Sequence, residues 1–149
     1  MSGRRRLDAD VEALVRRRAN GLCECCHADE RWRYVRFTVG HVRPVSTGGA
    51  DDPSNLALAC FHCNRYKSDR STDTDPDTLE EASLFDPRQS EWARHFAWSS
   101  DRMRVVGMTA TGRATVVALQ MNRARAVQIR EADLAVGRQP PDGDPFLKG

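Results

Sequence analysis

Two C-x2-C pairs, Cys23 with Cys26 and Cys60 with Cys63, constrain this chain more than any other feature. Two such knuckles that share one ion must close on a single point, and the chain between them has to fold back to let them. Four thiolates at these spacings make a soft, tetrahedral donor set suited to Zn2+. Four protein sulfurs leave no open coordination position, so the expected ion holds the fold and performs no chemistry. A redox dithiol and free thiols are the other readings of the same residues. The N-terminus MSGRRRLDADVEALV begins basic but is followed by no apolar run or small-residue cleavage site, so no secretory signal is expected and disulfides are disfavoured. Cys25, inside the first knuckle, is expected to be a bystander thiol. His27 and His62 flank the ligands and could complete a Cys3His set, but four cysteines already satisfy zinc.

The chain around the knuckles reads as strand, wide loop, strand and helix. YVRFTV (34 to 39) and NLALAC (55 to 60) are rich in β-branched, aromatic and alternating apolar residues, and RPVSTGGADDPS between them is dense in turn formers. FHCNRYKSDR lacks Gly and Pro and predicts a helix of about three turns that places Cys63, Asn64 and Lys67 on one side. Ahead of the first knuckle, Leu7, Val11, Leu14 and Val15 recur at helical spacing after Asp8, a good N-cap, which predicts a helix over 9 to 20 ended by Gly21. Residues 71 to 80 form an acidic, turn-rich connector with too few apolar residues to pack alone. A smaller set of elements follows: a helical turn at Trp92, His95 and Phe96, a strand in MRVVGMT, a helix from near Thr111 through Met121, and a final helix over 124 to 136. Residues 137 to 149 read as a disordered tail.

With 149 residues, one domain of ordinary size is expected. No stretch approaches the roughly 20 apolar residues of a membrane span, so a cytoplasmic chain is expected. The net charge is +2, yet residues 1 to 70 hold 13 Lys and Arg against 9 Asp and Glu, whereas residues 71 to 149 hold 10 against 12. The basic excess travels with the cysteines, a weak pointer to nucleic acid.

Between the knuckles stands His41, at the end of the first strand and ahead of a Pro and a Gly-Gly turn that leave space beside it. A histidine there can take a proton from water at neutral pH while a metal holds a scissile phosphate. Asn55 and Asn64 stand where an ordering amide and an oxygen ligand for a divalent cation are wanted, with Lys67 one turn beyond Asn64.

These residues resemble the HNH endonucleases, in the branch whose ββα-metal motif is bracketed by two zinc-binding CxxC pairs. The resemblance runs through RANGLCECC, GHVRPVSTGGADDPSNLALAC and CNRYKSDR, about residues 17 to 70, and a weaker likeness to small bacterial members extends through LFDPRQSEWARHF and GRATVVALQMNR to about residue 136. It implies an α+β fold with a zinc-stabilised ββα-metal core, an N-terminal helix and a small, mainly helical C-terminal extension packed on that core. It also implies hydrolysis of DNA phosphodiesters with Mg2+ or another divalent cation. His41 would be the general base, Asn55 would fix the loop and orient His41, and Asn64 would be a ligand of the catalytic cation. Phosphate contacts would come from Arg43, Arg65 and Lys67, joined by the Arg16 to Arg18 run. Where the family commonly places Asp or Glu before its histidine, this chain has Gly40, which removes one oxygen ligand; Asp51, Asp52 or Asp69 are candidates to replace it. A nucleic-acid-binding module that kept the zinc scaffold and lost catalysis is the competing expectation. The sequence leaves the oligomeric state and the strandedness of the substrate open.

Overall fold

The computed structural model describes residues 7–142 and 144. Helix α1 spans Ala9–Ala19. The Asp8 carboxylate accepts the Asp10 N–H at 2.7 Å, Asp10 and Glu12 lie in the first turn, and Arg16, Arg17 and Arg18 lie in the last, so both ends complement the helix dipole. Asn20, in the left-handed region at φ 55°, ends it one residue before the expected glycine. Val15 is buried and Leu7 and Val11 pack beside it, whereas Leu14 faces solvent.

Strand β1 (Thr38–His41) pairs antiparallel with β2 (Leu56–Ala59), with Thr38 opposite Ala59 and His41 opposite Leu56. The first strand therefore starts four residues later than its composition predicts. Side chains outcompete a ladder upstream: the Phe37 N–H donates to Glu30 Oε2 at 2.8 Å and its carbonyl accepts from Arg16 Nη2 at 2.8 Å. Tyr34 and Val35 are left exposed. Every residue of β2 is buried, and α2 (Phe61–Lys67) follows it directly. This is the expected ββα unit, with a helix of two turns in place of three because Ser68 turns to φ 49°.

The connector carries structure. Strands β3 (Thr72–Thr74) and β4 (Glu81–Ser83) pair as a hairpin whose turn is organised by Asp75. That carboxylate is wholly buried and accepts two bonds from Arg113, at 2.9 Å each, plus the Asp77 N–H and the Thr78 hydroxyl. A bidentate ion pair here takes the place of the apolar burial that the segment lacks. Arg113 holds the Asp75 carboxyl well below the usual carboxylate range. A depressed carboxyl contributes stability that is complete above about pH 4 and is lost as pH falls toward the folded-state value. Asp75→Ala should therefore lower the thermal midpoint at neutral pH by more than Asp73→Ala, which opens the exposed Arg70 pair, and the gap should close in acid. Equal midpoints at pH 7 would show that the hairpin is not anchored this way.

Beyond the hairpin, α3 (Trp92–His95) runs into β5 (Phe96–Trp98), which pairs with β6 (Val105–Gly107). Helices α4 (Ala110–Ala118) and α5 (Ala124–Ala135) complete the extension. The Thr109 hydroxyl caps α4 by accepting the Gly112 N–H. Strand β5 was not expected from the sequence. One apolar cluster runs from Val15, Leu56 and Leu58 through the cysteines to Phe96, Val105, Leu119 and Met121, so core and extension share a single interior. Trp92 Nε1 donates to the Cys25 carbonyl at 2.8 Å across that seam. The tail, where described, is also held: Gln139 Nε2 donates to the Arg102 carbonyl, and Asp144 accepts from Trp98 Nε1 and pairs with His27. Residues 137–142 and 144 of the segment expected to be disordered are described, with Gln139 and Asp144 bonded to the fold; residues 143 and 145–149 lie outside the described ones. Among the described residues, no helix is long and apolar enough to cross a membrane.

Candidate functional site

The sulfurs of Cys23, Cys26, Cys60 and Cys63 all lie within 4.8 Å of one another, and all four residues are buried. A tetrahedral zinc with bonds of about 2.3 Å separates its sulfurs by about 3.8 Å, and Cys26 Sγ and Cys60 Sγ stand 3.8 Å apart. The donor set and its spacing fit zinc. Local geometry builds the second knuckle, since Cys60 is the N-cap of α2 and its sulfur accepts the Cys63 N–H at 3.4 Å. The three neighbouring thiols hold Cys26 well below the usual thiol range, whereas burial pushes Cys23 up and contact with Cys23 pushes Cys60 and Cys63 up. Deprotonating all four sulfurs at this spacing, as zinc binding requires, needs the cation among them. Arg130 lies nearby, buried; burial pushes its guanidinium down and the Cys26 sulfur draws it back up. It is fixed by the carbonyls of Met103 and Met121 and by Asn122 Oδ1.

Cys25 and the two flanking histidines stay outside the four-sulfur cluster. His27 stacks on Trp92 with ring centroids 4.1 Å apart and bonds Asp144 through Nδ1 at 2.6 Å. His62 stacks with Tyr66.

The second constellation gathers at the far end of the hairpin formed by β1 and β2. His41 ends β1, and its Nε2 lies 2.7 Å from Asp51 Oδ1. An ionised carboxylate only accepts, so a neutral His41 in this pair would carry its proton on Nε2 and its lone pair on Nδ1. Asn55 ties the intervening loop at three points: Oδ1 accepts the Arg43 N–H at 2.8 Å, and Nδ2 donates to the carbonyls of Arg43 at 3.0 Å and Ala50 at 2.9 Å. Its own carbonyl accepts the Val42 N–H at 2.8 Å, which fixes the backbone immediately after His41. Gly49 completes the closure, because a Cβ there would sit 1.8 Å from the Arg43 carbonyl oxygen.

Asn64, on the exposed side of α2, lies over Gly40. A Cβ at residue 40 would come 2.9 Å from Asn64 Oδ1, so the position where the resemblance implies an acid and the Asn64 oxygen address the same point beside His41. Asp52 is consumed in capping Ser54, at 2.8 Å to its N–H and 2.7 Å to its hydroxyl, and Asp69 lies exposed past the end of α2. Among the candidate replacement acids, the Asp51 carboxylate bonds His41, whereas Asp52 meets Asn55 through its backbone carbonyl, which accepts the Asn55 N–H at 2.8 Å.

The basic residues divide. Arg43 and Arg65 are exposed, and Arg65 lies over the Phe61 ring. Lys67 is turned inward instead: Nζ donates to the Val42 carbonyl at 2.8 Å and burial pushes its ammonium down. It lines a cleft of about 410 Å³ with Arg43, Asp86 and His95. Arg16 pairs with Glu30 and Arg18 donates to the Leu56 carbonyl. Two of the three guanidinia in the Arg16 to Arg18 run are thus tied to the fold. The partnership of Asp51 with His41 was missed as a specific pairing, because ten residues of loop separate them and only the closure by Asn55 brings them together.

Residues 23–70 match the HNH endonuclease family model. The matched segment spans 48 of 149 residues and contains both constellations. No curated protein matches the chain.

Proposed function

We propose that this domain is a working DNA nuclease that hydrolyses phosphodiester bonds with a divalent cation, and that His41 is its general base. The observation that carries the reading is the Asp51–His41 pair, because a carboxylate on Nε2 fixes the ring and directs the Nδ1 lone pair to an incoming water. As that water oxygen attacks phosphorus, His41 takes its proton, the bond to the leaving oxygen breaks, and that oxygen takes a proton from solvent water. A divalent cation held at Asn64 would neutralise charge developing on the phosphoryl oxygens. Magnesium keeps several waters and needs few protein oxygens, so Asn64 with water and substrate phosphate can serve without a carboxylate at residue 40. Asn55 holds the loop that carries both members of the pair. Arg43 and Arg65 are placed to meet phosphates, with affinity that falls as salt rises, and Lys67 supports the backbone after His41.

The test is nicking of supercoiled plasmid by zinc-loaded protein with Mg2+ or Mn2+ added. Nicking that needs the added cation supports the reading; tight plasmid binding with no nicking under either cation opposes it. That second outcome would favour a binding module impaired at catalysis, the reading that Gly40 by itself supports. Within the nuclease reading, Asp51→Asn should slow nicking about 10- to 100-fold and alter its pH profile, as expected when the partner that orients a histidine is lost. Asp51→Glu should recover part of the rate. An unchanged rate and profile in Asp51→Asn would remove Asp51 from the mechanism.

A further inference from the structure

A recess of about 210 Å³ opens beside the zinc knuckles, lined in part by Phe61 and His62 at the start of α2. Its floor is apolar, with Phe37, Ala126 and Ile129. Around its mouth stand three residues that a folded chain has no structural reason to expose together: Tyr34, fully exposed at 104%, Val35 at 57% and Phe61 at 50%. Exposed apolar clusters of this kind mark binding surfaces. The charges beside them are positive. Arg123 lines the recess with no carboxylate partner among the described residues, and its buried Nε has no hydrogen-bond partner there. Arg65 lies over the Phe61 ring, also without a carboxylate among the described residues.

We propose that this recess is a subsite for unpaired bases of a DNA strand, so that the domain cuts plain duplex but prefers a substrate with a single-stranded segment next to the bond that is cut. Aromatic faces interleaved with cations are the surface that single-stranded nucleic acid takes: bases stack on the rings and phosphates meet the guanidinia. An apolar peptide would have no use for arginines that lack a carboxylate among the described residues, and a blunt duplex presents no free base face to Tyr34 or Phe61. Continuity with the proposed nuclease centre sets the direction of the strand. Phe61, Asn64 and Arg65 are spaced three and four residues apart, on one exposed face of α2. One turn of helix, about 5.4 Å, leads from Asn64 back to Phe61, so a strand with its scissile phosphate at Asn64 reaches the recess with its neighbouring nucleotides. The inference deepens the nuclease reading and rests on it for the identity of the ligand.

Binding is measured without cleavage, on the His41→Ala background, with fluorescein-labelled blunt duplex, single strand, and duplex carrying a single-stranded overhang. The overhang and single-stranded probes should bind more tightly than the blunt duplex. Tyr34→Ala and Phe61→Ala should each weaken them by about fivefold or more and leave the blunt duplex unchanged. Tyr34 is fully exposed and far in sequence from the zinc ligands, so its variant keeps the test meaningful if Phe61→Ala, next to Cys60, loses zinc. Equal loss on all three probes, or no loss on any, would overturn the subsite, as would a stoichiometric self-association that Tyr34→Ala abolishes. Nicking of plasmid by a protein with no overhang preference would sink the subsite alone. Overhang preference in a protein that nicks nothing would sink the nuclease reading and leave the subsite standing.

Discussion

Removing zinc with a chelator, or replacing Cys60 by Ser, is expected to unfold the entire chain. Structural zinc sites of this kind contribute roughly 10 to 16 kcal/mol in small domains, comparable to or above the roughly 5 to 15 kcal/mol by which a whole domain is stable. The four cysteines also sit inside the apolar cluster that links α1 and β2 to the extension. Without a cation, that interior would hold four sulfurs packed within 4.8 Å and a buried guanidinium beside them, an arrangement with no apolar compensation. Far-ultraviolet circular dichroism and zinc content, followed together through a chelator titration, check this. Both signals should fall in step. Zinc that leaves while the spectrum and the thermal midpoint stay unchanged would show that the sulfurs are not what holds the fold.

The second large effect concerns rate. His41→Ala should slow nicking by about 10²- to 10⁴-fold, the usual contribution of a positioned general base, while zinc content and the melting curve stay as in the parent. His41 ends a strand and is not in the four-sulfur cluster, so its loss leaves the knuckles intact. Plasmid binding should persist as well, because Arg43 and Arg65 are untouched. Loss of zinc or of the folded spectrum in this variant would mean that the residue is structural.

How much of this was legible beforehand depends on whether a feature is local. The cysteine spacing announces a cluster wherever the intervening chain folds back, and the turn-rich loop between two apolar runs allows it to do so. Helix α1 was visible in Asp8 and in the spacing of Val11 and Val15. The start of β1 was not, since the side chains of Glu30 and Arg16 take up the backbone groups of Phe37, and no local pattern records a competitor from another element. The hairpin of β3 and β4 was hidden for a related reason: its anchor, Arg113, lies 38 residues from Asp75. Composition marked the segment as unable to bury itself, which is true of its apolar content, and could not register a bidentate ion pair supplied from α4. Strand β5 follows α3 without a break, so no turn signal separates the two. At the candidate site, His41, Asn55 and Asn64 were named from residue type and order, while the pairing of His41 with Asp51 needed the loop closed. Gly40 looked in the sequence like a simple deletion of a ligand. In the fold, the Asn64 amide lies over it, so a carboxylate restored there must displace Asn64 Oδ1, and Gly40→Asp is not a neutral addition.

The central claim is tested most directly by nicking of supercoiled plasmid with wild-type protein and His41→Ala side by side, at matched zinc content, over a titration of Mg2+ and of Mn2+. The account predicts nicked circles that rise with either cation in the wild type and are absent, or slower by at least about a hundredfold, in the variant. Equal nicking by both proteins, or none by either at any cation concentration while both bind the plasmid, would contradict it.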